Sequence, residues 1–336
     1  MGLFEAFRLR LARRRSQIRA WRKGRELSAR RLRTGPIRPG DILLFACLRN
    51  ELPRLTFFLD YYRRLGINHF LFVDNGSEDG SPDYLAGQAD CSVWTTPASY
   101  KRSRFGMDWI NHLLTRHGAG HWVLVVDIDE FLVYPHMDTR PLRALTDWLD
   151  ASSIRSFSAM LIDLYGDGPV EETFCGPGED PIAAAPWFDV GNYQIQRHPR
   201  LGNLWIQGGP RQRVFFAEAP ELAPALNKIP LVRWQRGLVY VSSTHALLPR
   251  GLNLVYDETG GEKACGALLH AKFLHYLAHK TEEELTRRQH YAGSREYLAY
   301  RSGLLRGQAL WTPHSVRYEG WRQLEALGLM SSGGWL

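Results

Sequence analysis

Val123-Leu124-Val125-Val126-Asp127-Ile128-Asp129-Glu130 sets four apolar residues directly before two carboxylates one residue apart. Such a run suits a strand buried on both faces, because successive strand residues point to opposite sides. If the extended geometry continues, Asp127 and Asp129 point the same way and face one divalent cation and its diphosphate. A bare Asp-x-Asp is common by chance. At the end of an apolar strand it reads as a metal or diphosphate site rather than a solvated strand end.

Upstream, the chain alternates strand and helix. Ile42–Leu48 is a continuous apolar run, Pro53 sits at a helix start, and Leu55, Phe58, Leu59, Tyr62 and Leu65 keep helical spacing up to Gly66. A second buried strand is expected at 69–73, a weaker third at 93–96, and a helix at 105–117 stopped by Gly118; the quoted stretch ends the fourth strand, 121–126. Helix-linked apolar strands make an α/β fold with a parallel sheet the economical solution, and ligands are expected at the strands' carboxyl ends. Beyond residue 150, strands at 157–164, 214–216, 238–242 and 267–274 are expected to extend the sheet and build an acceptor side. Thr281 and Glu284 read as a capping box ahead of Leu285, opening a C-terminal helix.

Two further polar clusters fall at strand ends. Arg49-Asn50-Glu51 follows the first strand, placed either to grip a nucleotide or to form a helix-start ion pair. Asp74-Asn75-Gly76-Ser77-Glu78-Asp79-Gly80 follows the second. Its glycines and short polar residues suit a tight turn, and Asp74, Asn75 and Asp79 are placed either to bind a base or ribose or to sit in an ordinary surface turn.

At 336 residues the chain can bury a large core without a second domain. Its net charge of +7 is uneven: residues 1–40 carry thirteen Lys or Arg against Glu5 and Glu26, leaving the remainder at 7 − 11 = −4. A basic excess confined to one tail argues against a nucleic-acid-binding body and for an electrostatic tether. Within it Phe4, Phe7, Leu11, Ile18 and Trp21 form one helical stripe among arginines, a membrane-surface pattern for residues 1–33 interrupted by Arg14. Residues 34–40 read as a linker. The four cysteines are scattered, and no signal-peptide core or membrane-spanning run is seen. A cytoplasmic protein, peripheral at the inner face of a membrane, is expected.

Taken in order, Arg49-Asn50-Glu51, Phe72-Val73-Asp74-Asn75-Gly76-Ser77-Glu78-Asp79-Gly80, Ser103-Arg104-Phe105-Gly106-Met107-Asp108-Trp109 and Asp127-Ile128-Asp129-Glu130 resemble the family-2-type GT-A glycosyltransferases. The likeness is to a bacterial branch reading RNE, VDNGSxDG, SRFGMDW and VDIDE. The resemblance covers about residues 41–280 and implies a GT-A domain, a mixed, mostly parallel sheet flanked by helices, with a nucleotide-sugar half (41–135) and an acceptor half (136–280), between the basic arm (1–40) and a C-terminal helical extension (281–336). It implies a nucleoside diphosphate sugar donor, with UDP-sugars favoured, a glycan or glycolipid acceptor, and Mn²⁺ or Mg²⁺ bridging the carboxylates and the diphosphate. By the same likeness Glu51 and Asp74 contact the nucleoside, Asp127 and Asp129 hold ribose, metal and phosphates, and His270 completes the metal site.

Charge accumulates on the diphosphate as the sugar leaves, so nearby cations assist; Arg104, Arg211, Arg213 and Lys272 are the candidates. An inverting transfer also needs a carboxylate to take the acceptor's proton, and Asp163, Asp167, Asp180 and Asp189 all follow the metal motif. Asn75 replaces the second Asp of the usual DDGS turn and no QxxRW follows, which favours single addition over processive synthesis. Three rivals stand beside this reading. A haloacid-dehalogenase-type phosphohydrolase wants a small residue where Phe131 stands; a sugar-nucleotide nucleotidyltransferase wants a Gly-rich loop where residues 46–51 stand; a non-catalytic adaptor would act through the basic arm alone.

Overall fold

Ile42, Leu44, Ala46 and Leu48 face one hydrophobic core while Leu43 and Phe45 face another, so this first strand of the apolar series is sandwiched between two helical layers. That double burial is why its sequence is apolar throughout rather than alternating. The computed structural model describes residues 2–255, 261–287, 289 and 295–335. Its strands are β1 (Ser28–Arg31), β2 (Ile42–Leu48), β3 (His69–Asp74), β4 (Cys91–Thr95), β5 (Trp122–Val125), β6 (Glu130–Val133), β7 (Ser156–Asp163), β8 (Trp187–Phe188), β9 (Tyr193–Arg197), β10 (Leu204–Gly208), β11 (Asn227–Arg233), β12 (Val239–Ser242), β13 (Ala246–Leu248), β14 (Cys265–His270) and β15 (Val316–Arg317). Its helices are α1 (Leu3–Lys23), α2 (Leu52–Leu65), α3 (Ser81–Gly87), α4 (Met107–Leu113), α5 (Leu142–Ala151), α6 (Pro181–Ala184), α7 (Tyr276–Arg287), α8 (Arg295–Leu305) and α9 (Trp321–Ala326).

The main sheet has the order β1-β4-β3-β2-β5-β11-β7-β14-β6. Strands β4, β3, β2 and β5 are parallel, with Phe45 opposite both Leu71 and Val125. Antiparallel β11 then joins β5 to β7, which runs parallel to β14, and β6 closes the far edge antiparallel to β14. The protein is thus α/β with a large mixed sheet flanked by helices. Strand succession steps from β2 to β3 to β4, then returns to the other side of β2 at β5. The crevice between the carboxyl ends of β2 and β5 is therefore a topological switch point, where open α/β sheets bind ligands.

Helix α2 ends as its sequence predicts, with Gly66 at φ 98° donating back to Arg63 and Tyr62 carbonyls. Other segments depart from expectation. Residues 211–215 coil into a π-helical turn instead of a strand at 214–216. The strand expected at 267–274 stops at His270, and Val239–Ser242 pairs with β13 in a separate hairpin. Helix α7 begins five residues before the expected capping box, so Thr281 and Glu284 lie inside it, both buried. Residues beyond 320 are no appendage: Trp321, Leu324, Leu329, Met330 and Trp335 complete the same core as α2 and α5. Nor is the basic arm a free tether, since α1 packs on α4 and β1 pairs with β4 at the sheet edge.

Candidate functional site

Strand β5 ends at Val125, and the next residues turn rather than continuing extended: the Glu130 amide donates to the Asp127 carbonyl and the Asp127 amide to the Glu130 carboxylate. The expected persistence of strand geometry therefore fails. Asp127 and Asp129 nonetheless line one cleft, because the turn is pinned from the far side where the Ala271 amide donates to the Asp129 carbonyl. Also lining that cleft are Arg49, Glu51 and Arg54 after β2, Asn75 after β3, His270 at the end of β14 and Lys272 just past it, and Lys280, Glu284 and Arg287 of α7. The strand ends at the switch point thus meet across a space ringed by both signs of charge.

His270 is the hinge of the electrostatics. Its Nε2 lies 3.4 Å from Asp129 Oδ2 and its Nδ1 2.6 Å from Asp163 Oδ1. Burial disfavours its charge, but the two carboxylates raise the imidazole above its ordinary value. Burial would likewise raise the Asp129 carboxyl, yet His270, with Arg54 and Lys272, holds it well below the usual carboxylate range. Asp163 is buried and gripped by Arg211 through both guanidinium arms, and Arg211 also reaches His270. An imidazole whose Nδ1 is fixed by a carboxylate presents Nε2 in a set orientation, as in histidine-bound metal sites.

Sequence reading missed Lys228. Its ammonium, nearly buried on β11, sits 2.9 Å from Glu130 Oε1 and 3.4 Å from Asp127 Oδ2. Glu130 is buried, which raises its carboxyl despite the ammonium beside it, whereas the Asp127 side chain is 58% exposed toward the cleft. A lysine directly before the apolar residues 229–232 was the available signal, since buried lysines are rare without a carboxylate partner.

Helix α7 supplies charged partners to the motif residues at the strand ends. Arg49 donates to Glu283 at 2.7 Å and Asn50 to the same carboxylate at 2.8 Å; Arg287 donates to Asn75 at 3.1 Å, and Lys280 pairs with Glu51. Glu51 also takes the helix-start ion pair, with Arg54 at 2.7 Å. Each of the motif residues Arg49, Glu51 and Asn75 therefore meets a charged side chain of α7.

The remaining predicted residues sit elsewhere, each taken up by a local partner. Asp74 is buried with Oδ1 accepting from the Gly76 and Ser77 amides, while its Oδ2 has no hydrogen-bond partner among the described residues. Asp79 accepts from the Leu52 and Ser81 amides and so caps the starts of α2 and α3. Arg104 does not line the cleft and instead donates to Asp108 at 2.9 Å and Ser16 at 3.3 Å. Of the four candidate bases none lines the cleft: Asp163 is held by Arg211 and His270, Asp167 is exposed on a loop, Asp180 caps α6, and Asp189 is paired with Arg213 and Tyr165. The carboxylates that do line it are Glu51, Asp127, Asp129 and Glu284.

Fold and site together define an α/β protein with an acidic, cation-ringed cleft at its switch point. Compared with known proteins, the chain matches no family model and no curated sequence.

Proposed function

We propose that the protein is a metal-dependent glycosyltransferase of the GT-A type, moving a sugar from a nucleoside diphosphate sugar to a glycan or glycolipid acceptor by single additions. The observation that carries this reading is the meeting of Asp127, Asp129 and His270 with Arg49, Glu51 and Asn75 in one cleft at the switch point. Among the described residues no three His, Cys, Asp or Glu side chains are grouped to hold a metal alone. The donor set still fits Mn²⁺ or Mg²⁺: the Asp127 and Asp129 carboxylates and the His270 imidazole, its Nδ1 already bound by Asp163, would hold the ion beside a diphosphate. When bound, the cation supplies charge neutralisation of the leaving diphosphate.

The chain's own groups do the rest. Arg49, Glu51 and Asn75 orient the nucleoside. Lys272 and Arg54 add positive charge near the phosphates, favouring the state in which the bond from the anomeric carbon to the diphosphate oxygen is breaking. The acceptor oxygen bonds to that carbon as its proton passes to a cleft carboxylate. All four cysteines are free thiols, which supports a reducing, cytoplasmic compartment. Among the described residues no helix is long and apolar enough to cross a membrane.

Calorimetry with UDP, GDP and their sugar conjugates, with and without Mn²⁺, tests the proposal. Binding of one nucleotide that requires metal and vanishes in Asp129→Ala is expected. Failure with every nucleotide and metal, or phosphate transfer from a phosphomonoester onto Asp127, overturns it in favour of the adaptor or phosphohydrolase.

A further inference from the structure

Helix α1 turns its faces the opposite way from an ordinary surface helix. Its buried residues are Leu9, Ser16 and Ala20, whereas Phe4 (74% exposed), Phe7 (63%), Ile18 (51%) and Trp21 (57%) stand in solvent with Leu3 and Leu11. At about 100° per residue the two sets lie on opposite sides of the helix. A helix that packs on its own protein normally buries its apolar stripe.

The inward face is held firmly by polar contacts. Arg19 reaches the buried Asp108 at 2.6 Å, Gln17 donates to the Gly237 carbonyl at 2.7 Å, and Leu9 packs against Val239 and Leu248. Arg104 joins the same Asp108. The motif at residues 103–109 thus serves as the seat of α1, which is a fixed part of the body.

We propose that the outward face of α1 docks on an anionic lipid bilayer, with the helix axis in the membrane plane and its exposed apolar side chains entering the headgroup boundary. Charge complementarity selects this occupant. Exposed Arg8, Arg10, Arg14, Arg15 and Arg22 share or flank the stripe, Glu5 is the sole acid of the helix, and the chain beyond residue 40 carries net −4. Basic residues at the edges of an exposed apolar stripe, with Trp and Phe within it, are what an anionic interface accommodates. Nucleic acid would meet the arginines but leave Phe7, Ile18 and Trp21 in water. Because α1 is fixed to the body, docking holds the whole molecule in one orientation at the surface, unlike a flexible tether. This inference uses no ligand of the cleft and stands independently of the transferase reading.

The test is sedimentation of the full chain with phosphatidylcholine vesicles and with vesicles also containing phosphatidylglycerol, at physiological salt. Binding to the anionic vesicles alone is expected, weakened about 100-fold in Phe7→Ser/Ile18→Ser/Trp21→Ser. Those positions are exposed, so the variant should keep its melting curve, and circular dichroism checks that it does. Equal vesicle binding by the variant would reduce the contact to arginine adsorption and overturn insertion. Absence of vesicle binding overturns the proposal, and so does a concentration-dependent dimer that the same substitutions abolish, since it would give the face to a second copy.

Discussion

Replacing Lys228 by Met removes the buried ammonium that pairs with Glu130 and Asp127. Its ammonium is 2.9 Å from Glu130 Oε1 and the two side chains are 7% and 2% exposed. At an effective dielectric of about 20 that attraction is about 6 kcal/mol. Dehydrating both ions opposes it by several kcal/mol each, so the pair itself contributes little, but removing one partner strands the other and costs about 3–5 kcal/mol. Met fills much of the lysine volume, so cavity formation adds little. Lys228→Met should therefore lower unfolding free energy by about 3–5 kcal/mol, or about 2 °C in Tm per kcal/mol at this size. Lys228→Met/Glu130→Gln should recover most of that loss. Glu130, deprived of the ammonium, titrates higher in the folded state than in the unfolded one, so the single variant regains stability as pH falls from 7 toward 5. Urea denaturation of both variants across that range measures the cycle. A double variant no more stable than the single one would refute the assignment of Lys228 as the counter-ion of Glu130.

Three further outcomes are expected. Burial, with the Lys228 ammonium adding to it, pushes the His245 imidazole from its ordinary 6.5 down to about 4. The unfolded chain then takes up the proton first, so stability is lost as pH falls from 6.5 to about 4; in His245→Asn this part of the pH slope should flatten, and an unchanged slope in urea titrations would count against it. Gly106 sits at φ 76°, and a Cβ there would lie 2.8 Å from Cys47 Sγ; Gly106→Ala should cost about 2–4 kcal/mol, and a loss under about 1 kcal/mol would show that the turn is not constrained. Asp163→Asn leaves the cleft-lining ligands in place but removes the carboxylate charge that fixes His270 Nδ1, so Mn²⁺ affinity followed by electron paramagnetic resonance should fall about 10–100-fold, and an unaltered affinity would remove Asp163 from any positioning role.

Where local physics suffices, the chain can be read directly. Double burial makes Ile42–Leu48 continuously apolar, helical spacing and the positive φ of Gly66 bound α2, and the strand ahead of Asp127 announces an acidic end. These features depend on neighbours within a few residues, so periodicity and turn chemistry carry them. The candidate site was legible to the same depth: Arg49, Glu51, Asn75, Asp127 and Asp129 occupy the cleft, and each lies just past a strand whose carboxyl end was visible in the sequence. His270 and Lys272 were placed through the resemblance and as a cationic candidate respectively, and both reach the cleft.

Local pattern along the chain sets the α/β alternation, the parallel run of early strands and the positions of its polar ends. Only packing over long separations sets which distant groups meet there. Lys228 lies 101 residues from Asp127 and reaches it only because β11 inserts antiparallel beside β5; α7 crosses the cleft only because the chain bends after His270. The same holds for α1, whose amphipathic spacing was plain while the face it buries was not. Periodicity reports that a helix has two unlike faces. Which face packs inward depends on the surface offered to it, and here that surface is a buried carboxylate, Asp108, which draws Arg19 inward and leaves Phe7 and Trp21 outside.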